Sequence, residues 1–74
     1  MRMTYDPDAD AAYVFLVDRI ADGEAAAQLP SISLPGGHSE VILDFNADGR
    51  LLGVEVLGAG RALPQEVLDR AEPP

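Results

Sequence analysis

Val41-Ile42-Leu43-Asp44-Phe45-Asn46-Ala47-Asp48-Gly49-Arg50-Leu51-Leu52-Gly53-Val54-Glu55-Val56-Leu57 is the stretch that decides how the chain reads. Two runs rich in β-branched and aliphatic residues flank the turn cluster Asn46-Ala47-Asp48-Gly49, the pattern of a β-hairpin. The Asn46 side chain can bond to backbone further along, and Gly49 can take a positive φ at little steric cost. The expected geometry is a type I turn over Ala47-Asp48, closed by Gly49 in the left-handed position of a bulge. A ladder unbroken from that turn pairs Asn46 with Arg50, Phe45 with Leu51, Leu43 with Gly53 and Val41 with Glu55. Opposed residues share a face. Val41, Leu43, Phe45, Leu51 and Leu57 are therefore expected on one side, and Ile42, Leu52, Val54 and Val56 on the other.

The same letters satisfy the calcium-loop pattern D-x-[DN]-x-[DN]-G-x5-E through Asp44, Asn46, Asp48, Gly49 and Glu55. A calcium loop of that kind joins two helices, whereas the flanks here are strand-like and carry no caps. In a strand register Glu55 stands too far along the ladder from Asp44 to close around one ion. The stretch reads as a hairpin with solvated carboxylates. Glu55, mid-strand and opposite Val41 in this register, reads as a charge in water at a sheet margin or one that protects an edge.

Upstream, Met3-Thr4-Tyr5 begins a strand, Asp6-Pro7-Asp8-Ala9-Asp10-Ala11 has turn chemistry, and Ala12–Val17 is a second strand. Tyr13, Phe15 and Val17 point one way and Val14 and Leu16 the other, so this strand too is apolar on both sides. Around Gln28–Leu34, Pro30 and the alternation of Ile32 and Leu34 suggest a short edge strand. Pro35-Gly36-Gly37-His38-Ser39 is a loop. Gly58-Ala59-Gly60 ends the sheet. Pro64 suits the first position of a helix over Gln65–Ala71, two turns long and dependent on packing. The fold class expected is α+β: a single domain over residues 1–74, with a small antiparallel β-meander of four to five strands and one short C-terminal helix.

Asp6, Ala9 and Asp10 recur thirty-eight residues later as Asp44, Ala47 and Asp48. The echo suggests two acidic-tipped hairpins related by a pseudo-twofold. Were the tips to converge, Asp6, Asp8, Asp10, Asp44 and Asp48 would offer hard oxygen ligands to a divalent cation. Solvated turn aspartates are the plainer reading of the same residues.

A chain of 74 residues lies near the lower limit for a self-sufficient core, and no cysteine is present to staple it. A two-sided apolar sheet exceeds what one short helix can cover, so a homodimer or higher oligomer is expected. Thirteen acidic residues against five arginines give a formal charge of −8. Such a surface repels nucleic acid and attracts basic proteins. No secretory leader or membrane-length apolar run is evident, and the cytoplasm is the compartment expected. Catalysis is not expected: His38, the lone histidine, adjoins Ser39 and Glu40, and neighbouring side chains in an extended segment point apart rather than forming a triad. No cofactor is expected either.

Thr4-Tyr5-Asp6-Pro7-Asp8-Ala9-Asp10-Ala11-Ala12-Tyr13-Val14-Phe15-Leu16 and Asp48-Gly49-Arg50-Leu51-Leu52-Gly53-Val54-Glu55-Val56-Leu57 resemble the two ordered signatures of the bacterial family labelled domain of unknown function 2283. The likeness covers approximately residues 1–60. It implies a small β-rich domain, often encoded beside small toxin-like proteins, and hence an antitoxin-like role beside a small basic protein. The Pro/Gly-rich loop at 35–37 and the helix begun by Pro64 depart from the family's usual pattern.

Overall fold

The computed structural model describes all 74 residues, Met1–Pro74. Strands β1 (Arg2–Asp6), β2 (Ala11–Phe15), β3 (Ala27–Ser33), β4 (Glu40–Phe45) and β5 (Leu51–Leu57) precede helices α1 (Ala59–Ala62) and α2 (Gln65–Leu68). The strands form one antiparallel sheet in the order β1-β2-β5-β4-β3. This is the α+β architecture expected. The connection after β2 carries the chain to the far edge of the sheet, and the β4–β5 hairpin returns it to the middle.

The β4–β5 turn forms as its residues dictate. Asn46 accepts the Gly49 N–H on its carbonyl at 3.0 Å, and its Oδ1 accepts the Asp48 and Arg50 N–H groups at 3.0 and 2.9 Å. Gly49 sits at φ 81, the left-handed region where a Cβ is penalised. Phe45 opposes Leu51 as expected, but the register then slips at Asp44/Phe45. Beyond the slip, Asp44 faces Gly53, Leu43 faces Val54, Ile42 faces Glu55 and Val41 faces Val56. The expected pairs Leu43–Gly53 and Val41–Glu55 are therefore displaced by one residue. Because the side-chain period is two, one extra residue moves every later partner to the other face.

The consequence is a sorting of the two faces. Val41, Leu43, Val54 and Val56 share one side with Ala12, Val14, Met3 and Tyr5. The helices cover part of it. Ala59 and Val56 pack with Ala12 as a small core, lined further by Ala62, Leu63 and Leu68. The opposite, helix-free side carries Thr4, Tyr13, Phe15, Ile42, Asp44, Gly53 and Glu55, so it is mixed rather than uniformly apolar. Only five residues of the chain are buried, and no large side chain is wholly enclosed.

Two short helices stand where one was expected. α1 begins after Gly58, whose φ of 71 turns the chain out of β5. Its opening N–H groups are satisfied from a distance: Gly58 and Ala59 both donate to the Asp10 carbonyl at 3.0 Å. Pro64 at φ −58 leads into α2, which ends at Leu68, short of the expected Ala71.

The two edges of the sheet are finished differently. The outer side of β1 pairs with the C-terminal tail: Tyr5 N–H donates to the Glu72 carbonyl and Glu72 N–H to the Met3 carbonyl, each at 2.9 Å. β3 is exposed along all seven residues. Its ladder is interrupted between Leu29 and Ile32, where Pro30 lacks an N–H and Ser31 adopts φ 55.

Candidate functional site

The helix-free face brings two of the chain's four aromatic rings, Tyr13 and Phe15, together with several carboxylates on a sheet support. Alternation along β2 puts Tyr13 and Phe15 there together, with ring centroids 4.7 Å apart and planes inclined at 55°. Between them and β4 lies Gly53, which has no side chain, and the Tyr13 ring occupies the space a Cβ would need. So placed, the Tyr13 hydroxyl donates to Asp44 Oδ2 at 2.6 Å, while Gln28 Nε2 donates to Asp44 Oδ1 at 2.9 Å. Side chains of three strands, β2, β4 and β3, are thereby tied together, the Tyr13 bond passing over Gly53 of β5. Burial pushes the Tyr13 hydroxyl well above the usual phenol range, and the bond to Asp44 and the charges of Asp44 and Glu55 push it further.

Arg2 reaches this face from β1. Its guanidinium lies over the Phe15 ring at 3.9 Å from the centroid, and it approaches Glu72 at 3.8 Å. Glu55 stands between Tyr13 and Ile42 on central β5. It therefore does not lie at a sheet margin, nor on a face with Leu43, because the bulge re-aims it. Glu40 on β4 shares this side, accepting a 3.5 Å bond from the Ser31 hydroxyl.

The five aspartates considered as cation ligands are not brought together. With β2 and β5 central and antiparallel, the β1–β2 and β4–β5 hairpins are arranged about a local twofold between those strands. That relation sends their tips to opposite ends of the sheet: Ala11 pairs with Leu57 at one end, Phe15 with Gly53 toward the other. Asp6, Asp8 and Asp10 lie at the first end; Asp44 and Asp48 lie at the second. No group of three or more His, Asp or Glu side chains is placed to hold a metal ion. Asp6 instead accepts the Asp8 N–H at 3.0 Å within its own turn.

Asp10 has a different task, one the sequence pattern did not disclose. Its Oδ1 accepts the Tyr5 hydroxyl at 2.7 Å and the Gly60 N–H at 2.8 Å. Together with its carbonyl, it caps α1 from another part of the chain. The Tyr5 bond, then the Gly60 bond, hold its carboxyl below the ordinary range, against burial and with help from Arg61. The spacing of fifty residues between Asp10 and Gly60 leaves no local signature.

His38 is exposed in its loop. The neighbouring Ser39 hydroxyl donates to the Gly58 carbonyl at 2.8 Å, which ties the loop to the start of α1. His38, Ser39 and Arg61 border a shallow cleft of about 440 Å³. No hydrogen bond joins the serine to the histidine. No helix is long and apolar enough to cross a membrane.

The model of the family described as protein of unknown function (DUF2283) matches residues 2–59, and the chain belongs to that family. No curated protein and no solved structure matches it.

Proposed function

We propose that this DUF2283 member is a non-catalytic protein-interaction module whose helix-free face receives a basic segment of another protein, in the manner of an antitoxin-like partner of a small basic protein. The observation that carries the reading is the Arg2 guanidinium lying 3.9 Å from the centre of the Phe15 ring. The face already holds one cationic side chain from its own strand. An incoming arginine or lysine would meet the same ring chemistry, with Tyr13 beside it and the carboxylates of Glu40, Asp44 and Glu55 on the same side. Cation–ring contacts contribute about 0.5–1 kcal/mol when exposed and about 2 when desolvated. The net charge of −8 adds attraction at a distance, which speeds encounter and fades with salt.

The test is calorimetric titration of the full chain with an arginine-rich peptide and with a glutamate-rich peptide of equal length. The basic peptide is expected to bind, more weakly as salt rises, and more weakly again to the Phe15→Leu and Glu55→Gln variants. A heat-silent titration at low salt, or binding indifferent to both substitutions, removes this reading.

A further inference from the structure

We propose that a second copy of this chain packs on the uncovered β3–β4 half of the helix-side face, around Leu29, Ile32 and Leu43, to form a twofold dimer. This goes beyond the basic-partner reading and uses the opposite side of the sheet.

The first observation is area. A compact monomer of 7.8 kDa exposes about 4,400 Å² by the usual scaling with mass, whereas this chain exposes 4958 Å². The difference, about 600 Å², is three-quarters of the ~800 Å² that each partner contributes to a standard interface. The second observation is where apolar surface lies open. Leu29 is 53% exposed and Ile32 43%. They oppose Leu43 and Val41, which in turn oppose Val54 and Val56. The strip is thus continuous with the small core under the helices, and a second copy would extend that core across the axis. Two helices of four residues each, about 6 Å long apiece at 1.5 Å per residue, cannot span the rest of a five-stranded sheet.

The alternatives are closed by the fold itself. The β1 edge is occupied by the tail at Glu72. The β3 edge is broken by Pro30 and by Ser31 at φ 55, so edge-to-edge pairing of copies is interrupted. The helix-free face would set Glu40, Asp44 and Glu55 against their own copies across a twofold, and like charges there repel. The Leu29–Ile32–Leu43 strip carries no charge. An isologous contact, in which the same patch meets itself, suits a neutral apolar surface.

Light scattering on the eluting protein at micromolar concentration is expected to give twice the chain mass of 7.8 kDa. The double variant Leu29→Asp with Ile32→Asp is expected to run as a monomer with its far-ultraviolet circular dichroism unchanged. Because the chain has no cysteine, a single Leu29→Cys substitution reports proximity to the axis: mild oxidation should link two copies. Glu55→Cys, on the opposite face, should not link. This cysteine pair decides the matter should the aspartate variant fail to fold. A monomeric wild type, a dimer that survives both aspartates, or linkage through Glu55→Cys in place of Leu29→Cys overturns the proposal. None of these results alters whether the arginine-rich peptide binds, so the two readings fail separately.

Discussion

Gly53→Ala is expected to destabilise the fold through a ring on the neighbouring strand. An ideal Cβ at residue 53 would lie 2.5 Å from Tyr13 Cε1 and Oη and 2.7 Å from Cζ. Non-bonded carbons settle near 3.5–4.0 Å, so the ring must move by about 1 Å. The Tyr13–Asp44 bond, at 2.6 Å, does not survive that displacement in useful geometry. A hydrogen bond to a charged group contributes about 1.5–3 kcal/mol, and the lower part of that range applies because the bond is only partly buried. Against this, alanine in a strand interior is better than glycine by about 0.5–1 kcal/mol. The balance is a loss of about 0.5–1.5 kcal/mol, which for a domain of this size lowers Tm by about 2–12 °C. Urea unfolding followed by circular dichroism measures it. The decisive control is the same substitution in a Tyr13→Ala background, where no ring stands in the way. There the sign should reverse, to a gain of about 0.5–1 kcal/mol. Equal losses in the two backgrounds would refute the reasoning.

Three further outcomes follow from the geometry. Gly58→Ala places a side chain at φ 71 and a Cβ 2.7 Å from the His38 carbonyl oxygen; the left-handed conformation alone costs about 1–2 kcal/mol, and thermal unfolding should show at least that loss. Asp10 has a folded carboxyl pKa below its ordinary value of 3.8, so its contribution is complete above that pH and is lost as pH falls through the depressed value. Melting temperature followed below pH 3.8 should therefore decline less steeply in Asp10→Asn than in the wild type, and parallel curves would count against the role given to Asp10. Both tyrosines are raised above 10.0, Tyr5 chiefly by its bond to Asp10 and Tyr13 chiefly by burial. Their stabilising contribution is complete below pH 10.0 and is lost as pH rises through the folded values; an ultraviolet titration showing ordinary phenol ionisation would contradict the two tyrosine–aspartate pairs, and Asp44→Asn should bring Tyr13 partway back.

The hairpin, the edge strand and the class of fold were legible because each is written locally. Asn46 and Gly49 specify their turn through bonds spanning four residues or fewer, and Pro30 marks β3 as an edge wherever the rest of the chain goes. What could not be read depended on residues far apart. One bulge at Asp44/Phe45 reversed the facing of every residue beyond it on β4, and nothing in the alternation of Val41–Phe45 announces the bulge. Gly58-Ala59-Gly60 looks like a terminator, yet it opens a helix because Asp10 supplies its acceptors. The acidic repeat was visible as a pattern, but only strand order shows that a twofold between β2 and β5 drives the two tips apart. The Tyr13–Asp44 pair, separated by thirty-one residues, likewise depends on which strands become neighbours.

The interruption in β3 bears on what kind of assembly this chain can make. A regular outer strand is a template: each molecule that adds leaves a fresh strand for the next, and growth has no natural stop. Here a missing N–H at Pro30 and a reversed torsion at Ser31 spoil the template in the middle of the only strand not paired on its outer side. The association proposed above would rest on side chains meeting across one axis, which saturates once the patch is filled. Under that proposed dimer, a small acidic protein would assemble as a finite particle and not a fibre. Restoring a regular β3, with residues that can extend the ladder at positions 30 and 31, would remove that safeguard while leaving the rest of the sheet untouched.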